Sequence, residues 1–143
     1  MYQKIILVGN LGRDPQMRYT PDGTPVTDFS IATNETWTGR DGQQQERTTW
    51  WRISAWRRQA ETCNQYLSKG SRVLVEGRMN PDPETGSPRV YTRNDGTTGA
   101  SYEVTAFLVK FMGGRGDATT GPEMPSDEDI PPEADMEEDA IPF

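Results

Sequence analysis

Thr48-Thr-Trp-Trp-Arg-Ile-Ser-Ala-Trp56 is the stretch whose reading decides the fold. Side chains of an extended chain alternate between two faces, so Thr49, Trp51, Ile53 and Ala55 share one face and Trp50, Arg52, Ser54 and Trp56 share the other. The first face is the more apolar and fits a core. Tryptophans at this spacing are often core residues, because aromatic rings dominate interiors. Both faces of one strand cannot point into one small interior, however, so Trp50 and Trp56 are left near solvent, where large aromatic side chains mark binding surfaces.

Working outward, the same kind of pattern recurs. Lys4 to Val8 is a short β-branched run closed by Gly9 and Gly12, and Val26 to Asn34 follows the turn signal Pro21-Asp22-Gly23. Gly39 to Gln45, with Asp41-Gly42 inside it, reads as the tip of a long hairpin leading into the Thr48–Trp56 strand. Arg72 to Met79 and Ser101 to Phe111 complete five strands, joined by a Pro-, Gly- and Asp-rich excursion from Asn80 to Gly99. One short helix is expected between the third and fourth strands, over Arg57 to Leu67, with Ala60, Cys63, Asn64 and Leu67 on one side and Gly70 beyond its end. An all-β chain in that order is expected to form a five-stranded Greek-key barrel of the oligonucleotide-binding (OB-fold) type. On pattern alone, small SH3-like barrels and incomplete sandwiches remain open.

Composition divides the chain in two. The 143 residues hold no His, one Cys and a net charge of −7. Residues 1–112 carry 14 Lys and Arg against 12 Asp and Glu, net +2, whereas residues 113–143 carry one Arg against ten acids, net −9. The second part also has 5 of the 11 prolines and little to bury, so it is expected to be a disordered acidic tail following a domain over residues 1–112. With one Cys no internal disulfide forms, and without His the serine triad, the thiolate–imidazole pair and ordinary zinc sites lose their usual residue. No catalytic residue, metal or cofactor is expected. No run of 18 apolar residues is present and Met1-Tyr2-Gln3-Lys4-Ile5 lacks the layout of a secretory signal, so the expected location is cytoplasmic, with no membrane partner.

A strand face with Trp50 and Trp56 around Arg52 offers two ring surfaces and a cation, which suits bases stacked on the rings and a phosphate on the guanidinium. Trp37 is expected to join the same face from the outgoing arm of the hairpin. The remaining cations are compatible with a plain solvated surface, and +2 is far below the balance usual for duplex binders, so it is the interleaving with aromatics that points to single strands. Gly9-Asn-Leu-Gly12 lacks the Lys-Ser/Thr of a phosphate loop and reads as a strand-ending turn. The acid runs Asp127–Asp129 and Glu137–Asp139 read as solvated tail and not as metal ligands, and Cys63 as a small buried residue. A nuclease, a protein-interaction barrel and an RNA-binding member of the same fold are the rival readings.

Several motifs, in order and spacing, resemble one family. They are Lys4-Ile-Ile-Leu-Val-Gly-Asn-Leu-Gly-Arg-Asp-Pro15, Met17-Arg-Tyr19, Phe29-Ser-Ile-Ala-Thr33, Trp50-Trp-Arg52, Tyr66-Leu-Ser-Lys-Gly-Ser71, Val73-Leu-Val-Glu-Gly-Arg78 and the terminal Ile141-Pro-Phe143. Over residues 2–111 and at its tip the chain resembles the bacterial single-stranded-DNA-binding proteins. The resemblance implies a homotetramer of OB folds around which single-stranded DNA wraps, and a tail that recruits replication and repair proteins. By position it implies stacking by Trp37, Trp50 and Trp56, phosphate contacts by Lys4, Arg18, Arg52, Arg58 and Lys69, and partner binding by Asp139, Ile141, Pro142 and Phe143. The chain departs from the family pattern at Asn80–Pro88, an acidic insert, which makes Tyr91 a stand-in for the family's next stacking aromatic and is expected to move the strand path toward Arg89 and Arg93. Trp51, on the inward or inter-subunit face, is a packing residue in this reading.

Overall fold

The computed structural model describes residues 1–113. Its longest ladder joins β3 (Pro25–Thr38) to β4 (Gln44–Trp56), antiparallel and without a slip from Val26 opposite Trp56 to Thr38 opposite Gln44. The alternation read from the sequence is what the ladder uses: Phe29, Ile31, Ile53 and Ala55 are buried, while Trp50, Arg52 and Trp56 are exposed. Past Asn34 and Thr48 the hairpin outruns the barrel, so almost nothing covers either face there. Gly42, at φ 77°, and the Gly39 N–H to Gln43 carbonyl bond of 2.8 Å close its tip.

β1 (Ile5–Leu11) pairs antiparallel with β5 (Arg72–Met79), which pairs antiparallel with β7 (Thr98–Met112). β7 then runs parallel to β4, with Trp51 beside Tyr102 and Ser54 beside Thr105. At the far end β1 meets β3 through Asn10 opposite Ala32 and Leu11 opposite Ile31. The circuit β1–β5–β7–β4–β3–β1 is a closed five-stranded Greek-key barrel, filled by Leu7, Leu11, Phe29, Ile31, Ile53, Val73, Val75 and Val104. Closure needs two backbones to approach more tightly than a side chain permits. A Cβ at Gly9 would stand 2.4 Å from the Ala32 carbonyl oxygen, and one at Gly77 would stand 2.2 Å from that of Thr105, where a bulge between Glu76 and Gly77 bends β5.

The helix α1 (Arg58–Tyr66) connects β4 to β5 and plugs one end of the barrel with Ala60, Cys63 and the following Leu67. The buried Thr27 hydroxyl donates to the Ala60 carbonyl at 2.6 Å, so the plug is tied to β3 without an unsatisfied polar group. Tyr66 packs against Phe111, ring centroids 6.3 Å apart.

Four expectations are corrected. The described residues hold seven strands, the five of the barrel and two more, because β2 (Gln16–Tyr19) pairs with β3, and β6 (Arg89–Thr92) pairs with β7 inside the expected Asn80–Gly99 excursion. β1 does not stop at Val8; Gly9 lies within it, so Gly9–Gly12 is not simply a strand-ending turn. The β3–β4 arms extend well past Asn34 and Thr48. Asn64, counted into the helix's inner stripe, is exposed. The expected tail, including Asp139, Ile141, Pro142 and Phe143, lies outside the described residues.

Candidate nucleic-acid interface

Three tryptophans within seven residues of β4 receive different surroundings from the same ladder. Trp51 faces the mouth of the barrel, half-buried, with its indole N–H donating to Thr33 Oγ1 at 2.9 Å and its ring 5.1 Å from that of Tyr102. Trp50 and Trp56 lie on the outer face at 54% and 41% exposure. Trp50 has a flat seat: a Cβ on Gly12 would fall 2.5 Å from the ring, so only glycine leaves the indole that position. Ordinary strand rise separates Trp50 from Trp56 by roughly 20 Å, so the two rings serve different nucleotides of one strand. Arg52 lies between them, exposed and, among the described residues, without an acidic partner.

Trp37 does not join that face. It stands opposite Gln45, and the unbroken ladder puts it on the side of Trp51, although the bare hairpin leaves it 45% exposed. Its neighbour there is Arg47, whose guanidinium carbon lies 5.4 Å from the ring centre while Nη2 reaches Glu35 at 2.6 Å. That carboxylate holds the Arg47 guanidinium above its ordinary pKa. The β6–β7 hairpin carries a second ring–cation pair, here within one arm: Tyr91 lies across Gly99, 48% exposed, with Arg93 at 5.7 Å from its ring. Arg47 and Arg93 were missed by sequence reasoning as ring partners. The signal was available: Arg47 is diagonal to Trp37 across its hairpin, and Arg93 follows Tyr91 by two residues on the same arm.

The five expected phosphate contacts divide into two groups. Lys4 is engaged by Glu76, whose hydrogen bond raises the ammonium pKa, and Arg18 Nε is bonded to Asp28 at 3.1 Å. Asp28 also accepts from Ser54 Oγ at 2.6 Å. Arg52, Arg58 and Lys69 have no acidic ion-pair partner among the described residues and so keep their charge for a ligand. The described residues contain no cluster of three or more His, Cys, Asp or Glu able to hold a metal ion, and no helix long and apolar enough to cross a membrane.

An exposed aromatic strip on an OB barrel is a feature that relatives can be compared against. The model of the single-strand binding protein family matches residues 2–112. The chain belongs to that family. Among single-strand binding relatives, the single-stranded DNA-binding protein of Neisseria meningitidis serogroup A is 44% identical over 118 residues, covering 82% of this chain and 64% of the relative. That of Xanthomonas axonopodis pv. citri is 41% identical over 114 residues, covering 80% and 59%. The chain thus spans somewhat less than two thirds of the length of these relatives. A solved structure described as Plasmodium falciparum SSB in complex with single-stranded DNA superposes with a TM-score of 0.62 at 28% identity, covering 79% of this chain and 97% of that one. A deletion mutant of the Thermus aquaticus single-stranded DNA binding protein superposes with a TM-score of 0.61 at 29% identity, covering 78% and 51%.

Proposed function

We propose that the chain is a non-catalytic protein that binds single-stranded DNA without sequence preference. The observation that carries this reading is the outer face of β4, where Trp50 and Trp56 are exposed on either side of Arg52, which has no acidic partner among the described residues. Bases in a duplex hide their ring faces, whereas a single strand lays them on indoles while its phosphates exchange counterions for guanidinium and ammonium groups. Trp37 and Tyr91 are stacking residues on the two hairpins, and Arg52, Arg58 and Lys69 are phosphate contacts. Lys4 and Arg18 contribute after exchanging their carboxylate partners for DNA.

The wider reading concerns partners. Ile5 to Gly9 lack a β3 partner on one edge of β1, and Ile6 and Val8 on it are exposed, which supports association with further copies into a homotetramer. Residues 1–112 form the binding domain, and the acidic residues 113–143 recruit replication, recombination and repair proteins through Asp139, Ile141, Pro142 and Phe143. Its place is with the nucleoid, in the cytoplasm.

The test is a titration of intrinsic Trp fluorescence with an unstructured deoxythymidine oligomer at two salt concentrations, with the matched ribo-oligomer alongside. Strong quenching whose affinity falls as salt rises is expected, since all four Trp lie in residues 1–112. Unchanged emission at low salt removes the tryptophan face from the reading, and equal affinity for the ribo-oligomer removes the preference for DNA.

A further inference from the structure

Arg57 stands at φ 60°, ψ −133°, in a region that glycine occupies freely and a Cβ obstructs. Every other positive-φ position among the described residues is a glycine: Gly23, Gly42, Gly70, Gly86 and Gly96. The conformation at Arg57 is held from both sides, since its N–H donates to the Pro25 carbonyl at 2.8 Å and its own carbonyl accepts from Ala60 at 3.0 Å. Arginine is a poor choice here on two further counts. Arg57 is the N-cap of α1 and supplies no side-chain cap, where Gly, Asn, Asp or Ser would serve better. With Arg58 it also puts two cations at the positive end of the helix dipole.

Three unfavourable local choices at one residue imply a gain elsewhere. The gain lies in where the guanidinium is: directly after Trp56 on β4, exposed, beside Arg58, and with no acidic partner among the described residues. We propose that Arg57 is a phosphate-binding residue that ends the stacking strip, holding the backbone of the nucleotide whose base lies on Trp56. The proposal rests on the single-strand reading above and adds a cation that the family resemblance did not bring to this position.

The experiment uses the full chain, a deoxythymidine oligomer over a salt series, and thermal melts of Arg57→Gly and Arg57→Lys. Arg57→Gly should melt higher, because strain and cap are both improved, yet bind more weakly. Loss of one phosphate contact lowers the slope of log affinity against log salt by about 0.7, which makes binding roughly tenfold weaker near 50 mM salt and little changed near 1 M. Arg57→Lys keeps the charge and the strain, so slope and melting temperature should both stay near those of the parent. A higher melting temperature in Arg57→Gly with unchanged slope and affinity would overturn the proposal, as would an equal loss of slope in Arg57→Lys. If the parent chain itself fails to bind the oligomer, the single-strand reading falls; if the parent binds and Arg57→Gly binds identically, only this inference does.

Discussion

Trp50, Trp51 and Trp56 differ in what truncation would remove. Trp50 and Trp56 leave about half of their surface to solvent on the outer face, so replacing either by Ala should cost little stability and weaken single-strand binding by about 1–3 kcal/mol, the worth of one stacked base in single-strand binders of this class. Trp51→Ala deletes the bond to Thr33 and the packing on Tyr102, so it should cost about 3 kcal/mol of stability and affect binding mainly through that loss. Urea melts and oligomer titrations of the three variants check this, and the reverse ranking would mean the faces are exchanged. Cys63 makes a second case. Burial pushes its thiol up to about 12, whereas the unfolded chain releases that proton near about 8.5. Between those values the unfolded state binds fewer protons than the folded state, so stability falls as pH rises, by up to about 1.4 kcal/mol per pH unit from this group. Cys63→Ala should therefore flatten the alkaline limb of the stability–pH curve relative to the parent, and the parent thiol should stay unreactive to thiol reagents until the chain unfolds.

At the scale of elements, closure of the barrel needs glycine where two backbones meet, at Gly9 and Gly77. Gly9→Ala drives a Cβ into the Ala32 carbonyl, a backbone atom that cannot swing aside, so β1 must separate from β3 where Asn10 and Leu11 pair. The expected loss is about 2–3 kcal/mol, with accelerated exchange of the Gly12 amide, which donates to the Ser30 carbonyl at 3.1 Å; an unaltered melt would show that the barrel closes without that approach. This role was not legible beforehand, because a glycine after Val8 looks the same whether it ends a strand or lets one pass close to another. The strands with a buried face were legible from period two, as in Thr48–Trp56, and so was the helix between the third and fourth. β2 and β6 were not, since Gln-Met-Arg-Tyr and Arg-Val-Tyr-Thr bury almost nothing and hold their place by backbone bonds. One cue for β6 was present: Asp95-Gly96 is a hairpin turn signal, and the Arg93 N–H to Thr97 carbonyl bond of 2.7 Å closes that turn. The candidate site was half legible for the same reason. Trp50 and Trp56 followed from alternation within one strand, whereas the face of Trp37 follows from Phe29 and Ile31 only if β3 stays extended past Asn34, where the sequence offers no buried residue to mark it.

For the whole molecule the decisive quantity is the division of charge. Removing residues 113–143 changes the net charge from −7 to +2 per chain while leaving every residue of the barrel core in place. If those residues act as an acidic arm that competes with DNA for Arg52, Arg58 and Lys69, the shortened chain should bind a deoxythymidine oligomer as tightly as the parent or more tightly. The difference should be largest at low salt, where screening is weakest, and vanish at high salt. Its thermal unfolding should scarcely move, since the ladders that close the barrel all lie between Ile5 and Met112. Deleting Phe143 alone separates the two roles given to the arm: the ten acids remain and still compete, but the apolar tip loses its aromatic ring, so DNA affinity should match the parent while capture of replication and repair proteins is lost. A shortened chain that melts much earlier, or binds DNA more weakly at every salt concentration, would mean that residues beyond Met112 belong to the folded domain. In that case the charge imbalance would serve stability and not competition.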